Sequence, residues 1–236
     1  MLSRIVPPQV AVAESYGDDP AAVLFPGERE PAAAMRPARR REFATARHCA
    51  RRAGLRLGVP PGPLPPGPAG APRWPAGVAG SLTHCHGYRA AALARTTAVR
   101  AIGIDAEPHR PLPSGMLAGI ALPEEREDQR ALRAADPAVC WDRLLFCAKE
   151  AVYKVWSPLT GAWLGFHEAA IAFDPAGTFR ARVLRAAPGG PEGADVPAPT
   201  GPAPEPIPTV LHGTWLATPH HLLTALVVPA AAAPPP

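Results

Sequence analysis

Apolar positions set out the elements. Phe43, Ala46, Ala50, Ala53 and Leu57 recur at spacings of three and four, the mark of an amphipathic helix. Gly58 suits its C-terminal cap and prolines follow at once. Gly80–His84 and Arg89–Ala94 read as strands around a tight His86-Gly87 turn, with Val99–Asp105 a third strand. Asp136-Pro137 reads as an N-cap followed by proline at the first helical position, opening a helix to about Trp156 that stops before Ser157-Pro158. On that helix Leu144, Ala148, Ala151 and Val155 form a core face. Ala170–Phe173 and Phe179–Leu184 flank a Asp174-Pro175-Ala176-Gly177 turn, and Val210–Ala217 with Leu222–Val228 form a further hairpin. Helices and antiparallel hairpins in both halves define an α+β class.

Proline changes this picture locally. Of 34 prolines in 236 residues, eight fall in 60–75 and eight in 186–208. The first stretch is expected to be an extended loop. The second reads as a surface insertion between strands, and the tail 230–236 as disordered. The longest apolar run, Leu222 to Ala233, is short of the ~20 residues of a membrane span and is broken by Pro229. No secretory signal is visible, so Cys49, Cys85, Cys140 and Cys147, which form no CxxC pair, are expected to be reduced thiols of a cytoplasmic protein. A net charge of +4 does not argue for nucleic acid.

Charge is unevenly spread. Residues 35–58 hold eight arginines and one acid, Glu42, which is either a solvated helix face or an anion site, since guanidinium groups grip phosphate bidentately. The 24 basic residues include only two lysines, Lys149 and Lys154, both on the second long helix. An i,i+4 pair of Glu150 with Lys154 has an ordinary explanation as a surface ion pair of roughly 0.3–0.5 kcal/mol. Arginine would serve that purpose equally well here, so the lysines point to phosphate binding or proton transfer. Asp105 and Glu107 alternate on one face of a strand end, where two close carboxylates make sense around a hard cation such as Mg²⁺ or Mn²⁺, or simply facing water beside Pro108. His84 stands at a strand end beside a turn, as a structural residue or, when protonated, a hydrogen-bond donor to a phosphate.

The ordered set resembles the Sfp-type 4′-phosphopantetheinyl transferases, especially the actinobacterial branch. The motifs are the arginine-rich helix, Ser81-Leu82-Thr83-His84, Gly103-Ile104-Asp105-Ala106-Glu107 and Lys149-Glu150-Ala151-Val152-Tyr153-Lys154, with 45 residues from Asp105 to Glu150. Trp74-Pro75-Ala76-Gly77-Val78 and Trp163-Leu164-Gly165-Phe166 extend the resemblance over nearly the whole chain. It implies two similar α+β halves about a pseudo-twofold, here 1–104 and 105–236, with coenzyme A and Mg²⁺ in the cleft between them. It implies transfer of the phosphopantetheine arm to a serine of an acyl or peptidyl carrier protein, releasing adenosine 3′,5′-bisphosphate, by a monomer that binds neither nucleic acid nor membrane. Asp105, Glu107 and Glu150 are then the metal ligands. Arg39, Arg47, His84, Lys149 and Lys154 contact coenzyme A phosphates. Glu150 is the candidate base, and Lys149 would protonate or screen the leaving bisphosphate.

One departure stands out. The family's nucleotide-gripping Lys-Gly-x-Pro loop is replaced by Pro66-Gly67-Pro68-Ala69-Gly70-Ala71-Pro72, leaving Arg73 to supply charge. Two rival readings remain: a metal-dependent phosphodiesterase or pyrophosphatase acting on coenzyme A-like nucleotides, and a noncatalytic phosphate- or RNA-binding module built on the arginine helix.

Overall fold

The computed structural model describes residues 1–67, 70–185 and 206–231. Most of the proline-rich 186–208 segment and most of the 230–236 tail lie outside the described residues. The elements run β1 (Ala11–Ser15), α1 (Arg29–Ala33), α2 (Pro37–Arg56), β2 (Val78–Cys85), β3 (Tyr88–Arg95), β4 (Val99–Pro108), α3 (Pro123–Ala135), α4 (Trp141–Thr160), β5 (Ala169–Asp174), β6 (Thr178–Val183), β7 (Val210–Ala217) and β8 (His221–Pro229). An antiparallel three-stranded sheet has the order β1-β3-β2, and a five-stranded one the order β4-β8-β7-β6-β5. The α+β expectation is met, with one long helix on each sheet.

Side-chain alternation stacks these parts in layers. Ala13, Ala91 and Leu93 of the small sheet pack against Cys49, Ala50 and Ala53 of α2. The opposite face of that sheet carries Val12, Tyr88, Ala90 and Ala92, which meet Ile102, Ile104, Ala106, Leu223 and Ala225 of the large sheet. The far face of the large sheet packs on Leu144, Ala148, Ala151 and Val155 of α4. Gly103 is what lets β4 and α4 close: a Cβ there would overlap the Ala151 carbonyl oxygen. The 104/105 division falls inside β4, whose whole length pairs with β8.

The sheets also meet along an edge. Ser81 and Thr83 of β2 pair with Ala92 and Ala90 of β3, so they share the face turned toward the large sheet. The Ile104 N–H donates to Ser81 Oγ at 3.1 Å and the Ala106 N–H to Thr83 Oγ1 at 2.9 Å. Two hydroxyls thus accept the edge amides of β4 where a carbonyl ladder would do so in a continuous sheet.

Two helix boundaries differ from expectation. Asp136 does not open a helix; it is the extended C-terminal cap of α3 (φ −140°, ψ 91°), and α4 begins at Trp141. Asp136 Oδ1 accepts the Ala138 N–H in a local turn, and its carbonyl accepts the Trp141 indole N–H. Such turns compete with N-capping for the same side chains. At the other end α4 runs through Pro158 to Thr160 and closes on Gly161, which has φ 67°. The missing proline donor falls in the last turn, where the Thr160 hydroxyl donates to the Trp156 carbonyl at 2.9 Å.

Candidate active site

β2, β4, α2 and α4 converge where the halves meet. Asp105 on β4 is buried, and its Oδ1 accepts from Lys154 Nζ at 2.7 Å and from the Thr83 hydroxyl at 3.1 Å. Lys154 Nζ also donates to the Ile104 carbonyl at 2.9 Å, so the ammonium is fixed over the end of β4. Asp105 Oδ2 is enclosed without a hydrogen-bond partner. Glu107 lies one pleat further along and accepts from Arg143 Nη1 at 2.9 Å. Arg143 itself is held by the Arg110 and Pro111 carbonyls.

The acidic groups sense each other. Burial first, and then the Asp105 charge, raise the carboxyls of both Glu107 and Glu150 above the ordinary glutamate value. For Glu107 the Arg143 guanidinium opposes that rise, and for Glu150 Lys154 opposes it. Among the described residues no three His, Cys, Asp or Glu side chains form a ready-made metal cluster. Mg²⁺ does not require one, because it is commonly held by one or two carboxylates, waters and substrate phosphates.

Cationic side chains and His84 lie beside these acids. His84 contacts the Arg39 guanidinium and lies 3.4 Å from Glu42 Oε2. Burial, then Arg39, Lys154 and Arg89, push His84 down to about 3, so its imidazole is neutral. Arg89 lies across the hairpin from His84 and is anchored to Asp18 at 2.8 Å and Glu42 at 3.3 Å. Arg39, His84 and Lys154 are therefore brought together from three elements.

Lys149 is not brought there. Its Nζ is buried on the other side of α4, bonded to the Ile120, Phe166 and Ala169 carbonyls at 2.7–2.9 Å and paired with Glu125 at 2.7 Å. Adjacent helical residues diverge by about 100°, so Lys149 and Glu150 cannot share a face. The expected roles of Lys149 on phosphate and as proton donor are corrected on that ground: its ammonium ties α4 to α3 and to the start of β5.

Arg47 is also displaced from its expected role. It is buried, stacked over the Phe43 ring at 3.3 Å, and its Nε donates to the Leu64 carbonyl at 2.8 Å. Burial, opposed by Glu28 and aided by Arg51 and Arg39, lowers it to about 10. It clamps the 60–75 loop to α2. Arg51 does similar work on Glu28 and the Val23 carbonyl, and Arg40 on the Ala32 and Ala33 carbonyls. The arginine helix is thus neither a bare solvated face nor a continuous anion site. Arg73 is exposed beside Gly67, at the loop's return.

Sequence reasoning passed over Thr83, Arg143 and Glu125. The Glu125 signal was present: Pro123 at the first helical position and a glutamate two residues on mark the start of α3, and Glu125 Oε2 accepts the Leu122 N–H. All four cysteines are free, and Cys147 is fully buried against Thr224 and the Leu222 carbonyl, a packing position.

Family comparison places the chain. Residues 27–94 match the 4′-phosphopantetheinyl transferase N-terminal domain, and residues 101–193 the 4′-phosphopantetheinyl transferase superfamily. The chain belongs to the 4′-phosphopantetheinyl transferase family. Similar proteins include the 4′-phosphopantetheinyl transferase Svp of Streptomyces mobaraensis, 52% identical over 78% of this chain and 76% of the relative. PptT of Mycobacterium tuberculosis is 46% identical over 93% of this chain and 92% of its own. Npt of Nocardia iowensis is 45% identical over 96% and 99%. The chain is a 4′-phosphopantetheinyl transferase, and its two-sheet build agrees with the family's pseudo-twofold fold. No described helix is long and apolar enough to cross a membrane.

Proposed function

We propose that the cleft holds coenzyme A with Mg²⁺ and passes the phosphopantetheine arm to a carrier-protein serine, through Asp105, Glu107, Glu150, Lys154, Arg39 and His84. The observation that carries this reading is Asp105. A carboxylate oxygen enclosed without a partner is costly, on the order of 1–3 kcal/mol or more. Glu107 and Glu150, raised by the same charge, gain from a cation beside them. The donor set is all oxygen, which fits Mg²⁺ or Mn²⁺. Bound there, such an ion neutralises pyrophosphate and the charge that builds on its oxygens.

The protein's own groups divide the remaining work. Arg39 and the neutral His84 receive the nucleotide phosphates, whose charge relieves the cation crowding around the imidazole. Lys154, already aligned by Asp105 and the Ile104 carbonyl, screens the pyrophosphate as a compact point charge. The serine oxygen forms a bond to the phosphorus that carries pantetheine while the bond to the bisphosphate breaks. Glu150 takes the serine proton as general base. The enzyme acts as a cytoplasmic monomer on this reading.

The test is incubation of the protein with coenzyme A, Mg²⁺ and a panel of apo acyl and peptidyl carriers, followed by intact mass. One phosphopantetheine is expected per carrier, with transfer lost in Asp105→Ala. Bisphosphate release without any carrier would instead indicate phosphodiesterase or pyrophosphatase chemistry.

A further inference from the structure

We propose that Thr83 is a positioning residue for the cation site, which decides which oxygen of Asp105 is free to bind metal. The proposal rests on the Mg²⁺ reading above and names a group that reading did not use.

A threonine hydroxyl has one proton to give and two lone pairs. In Thr83 one lone pair is taken by the Ala106 N–H at 2.9 Å. That bond comes from the edge of β4, next in sequence to Asp105, and it fixes the oxygen in place. The single proton goes to Asp105 Oδ1 at 3.1 Å. Lys154 Nζ arrives at the same Oδ1 from α4 at 2.7 Å. Oδ1 is thereby occupied from both sides, Oδ2 is enclosed without a hydrogen bond of its own, and the buried Cys147 thiol lies against the same carboxylate. Thr83 is itself 2% exposed, so water does not compete for its proton. The carboxylate is held in one orientation before any ion arrives, which is how an outer group tunes a ligand.

Ser81 supplies an internal comparison. It lies two residues earlier on the same face of β2 and accepts the Ile104 N–H at 3.1 Å in the same way. It makes no contact with a carboxylate among the described hydrogen bonds. Ser81 and Thr83 therefore share the task of joining the two sheets, and of the two only Thr83 also holds Asp105.

The experiment is Mn²⁺ titration by loss of the free-ion EPR signal, with coenzyme A present and no carrier, on wild type, Thr83→Val, Thr83→Ser and Ser81→Ala. Thermal unfolding is recorded in parallel without metal. Thr83→Val is expected to weaken Mn²⁺ binding about 10-fold or more, the usual reach of outer-group substitutions. Thr83→Ser should restore wild-type affinity. Ser81→Ala should lower Tm comparably to Thr83→Val and leave Mn²⁺ affinity unchanged. Equal Mn²⁺ affinity in Thr83→Val and wild type, or equal weakening in Thr83→Val and Ser81→Ala, overturns the role of Thr83 while leaving the metal reading intact. Absence of Mn²⁺ binding in wild type overturns both.

Discussion

Glu150 shows how one carboxylate is shaped by its neighbours. It takes no hydrogen bond among those described, and burial and Asp105 raise its carboxyl. A group whose folded value is raised stabilises the fold while protonated, below its unfolded value of about 4.3, and loses that contribution as pH rises through the folded value. At neutral pH the ionised Glu150 therefore works against the metal-free fold. Glu150→Gln is expected to raise Tm in EDTA at pH 7–8 while abolishing transfer. A gain of about 1 kcal/mol corresponds to roughly 2–4 °C for a chain of this length. The gain should shrink toward pH 4 and reverse in sign when Mg²⁺ is present. Differential scanning calorimetry across pH checks this, and a lower Tm for the variant in EDTA at pH 8 would count against it.

Helix α4 carries two different kinds of cation. Lys154 leans over β4 beside Asp105, whereas Lys149 is enclosed with Glu125 between α3, α4 and β5. Removing one member of a buried pair leaves an uncompensated charge and costs about 3–5 kcal/mol. Lys149→Ala is expected to lose stability on that scale in urea unfolding, with Glu125→Leu/Lys149→Met recovering part of it. At a temperature where Lys149→Ala remains folded, its KM for coenzyme A should match wild type. A large rise in that KM with unchanged stability would restore a phosphate role for Lys149. The scarcity of lysine in the chain marked α4 as unusual. It did not separate Lys154 beside Asp105 from Lys149 beside Glu125, because the groups that hold each ammonium come from segments distant along the chain.

The two halves share their interior. Val12, Tyr88 and Ala90 pack directly on Ile104, Leu223 and Ala225, and Ser81 and Thr83 bond the edge of β4. The two halves are thus expected to unfold together. A single calorimetric transition is expected, with calorimetric and van't Hoff enthalpies in agreement. Two resolved transitions would show that the halves fold independently.

Much of this was legible along the chain. Periodicity located α2, most of α4 and seven of the eight strands, because alternation and three-to-four spacing record which face is buried. β1 was missed: five residues, two of them buried, leave little pattern. α3 was missed because its face is mostly charged and its buried positions are Glu125 and Gln129. The motifs named Asp105, Glu107, Glu150, Lys154, Arg39 and His84, and the fold sets these side chains near one another where β2, β4, α2 and α4 meet. Their chemistry is local to each side chain and so is written in the sequence. The destinations of Lys149 and Arg47, the clamp of Arg143 on Glu107, and the choice of Oδ1 over Oδ2 on Asp105 are not. Each depends on a carbonyl, carboxylate or hydroxyl from a distant segment, and only the packing of helix on sheet and sheet on sheet brings that partner within hydrogen-bond reach.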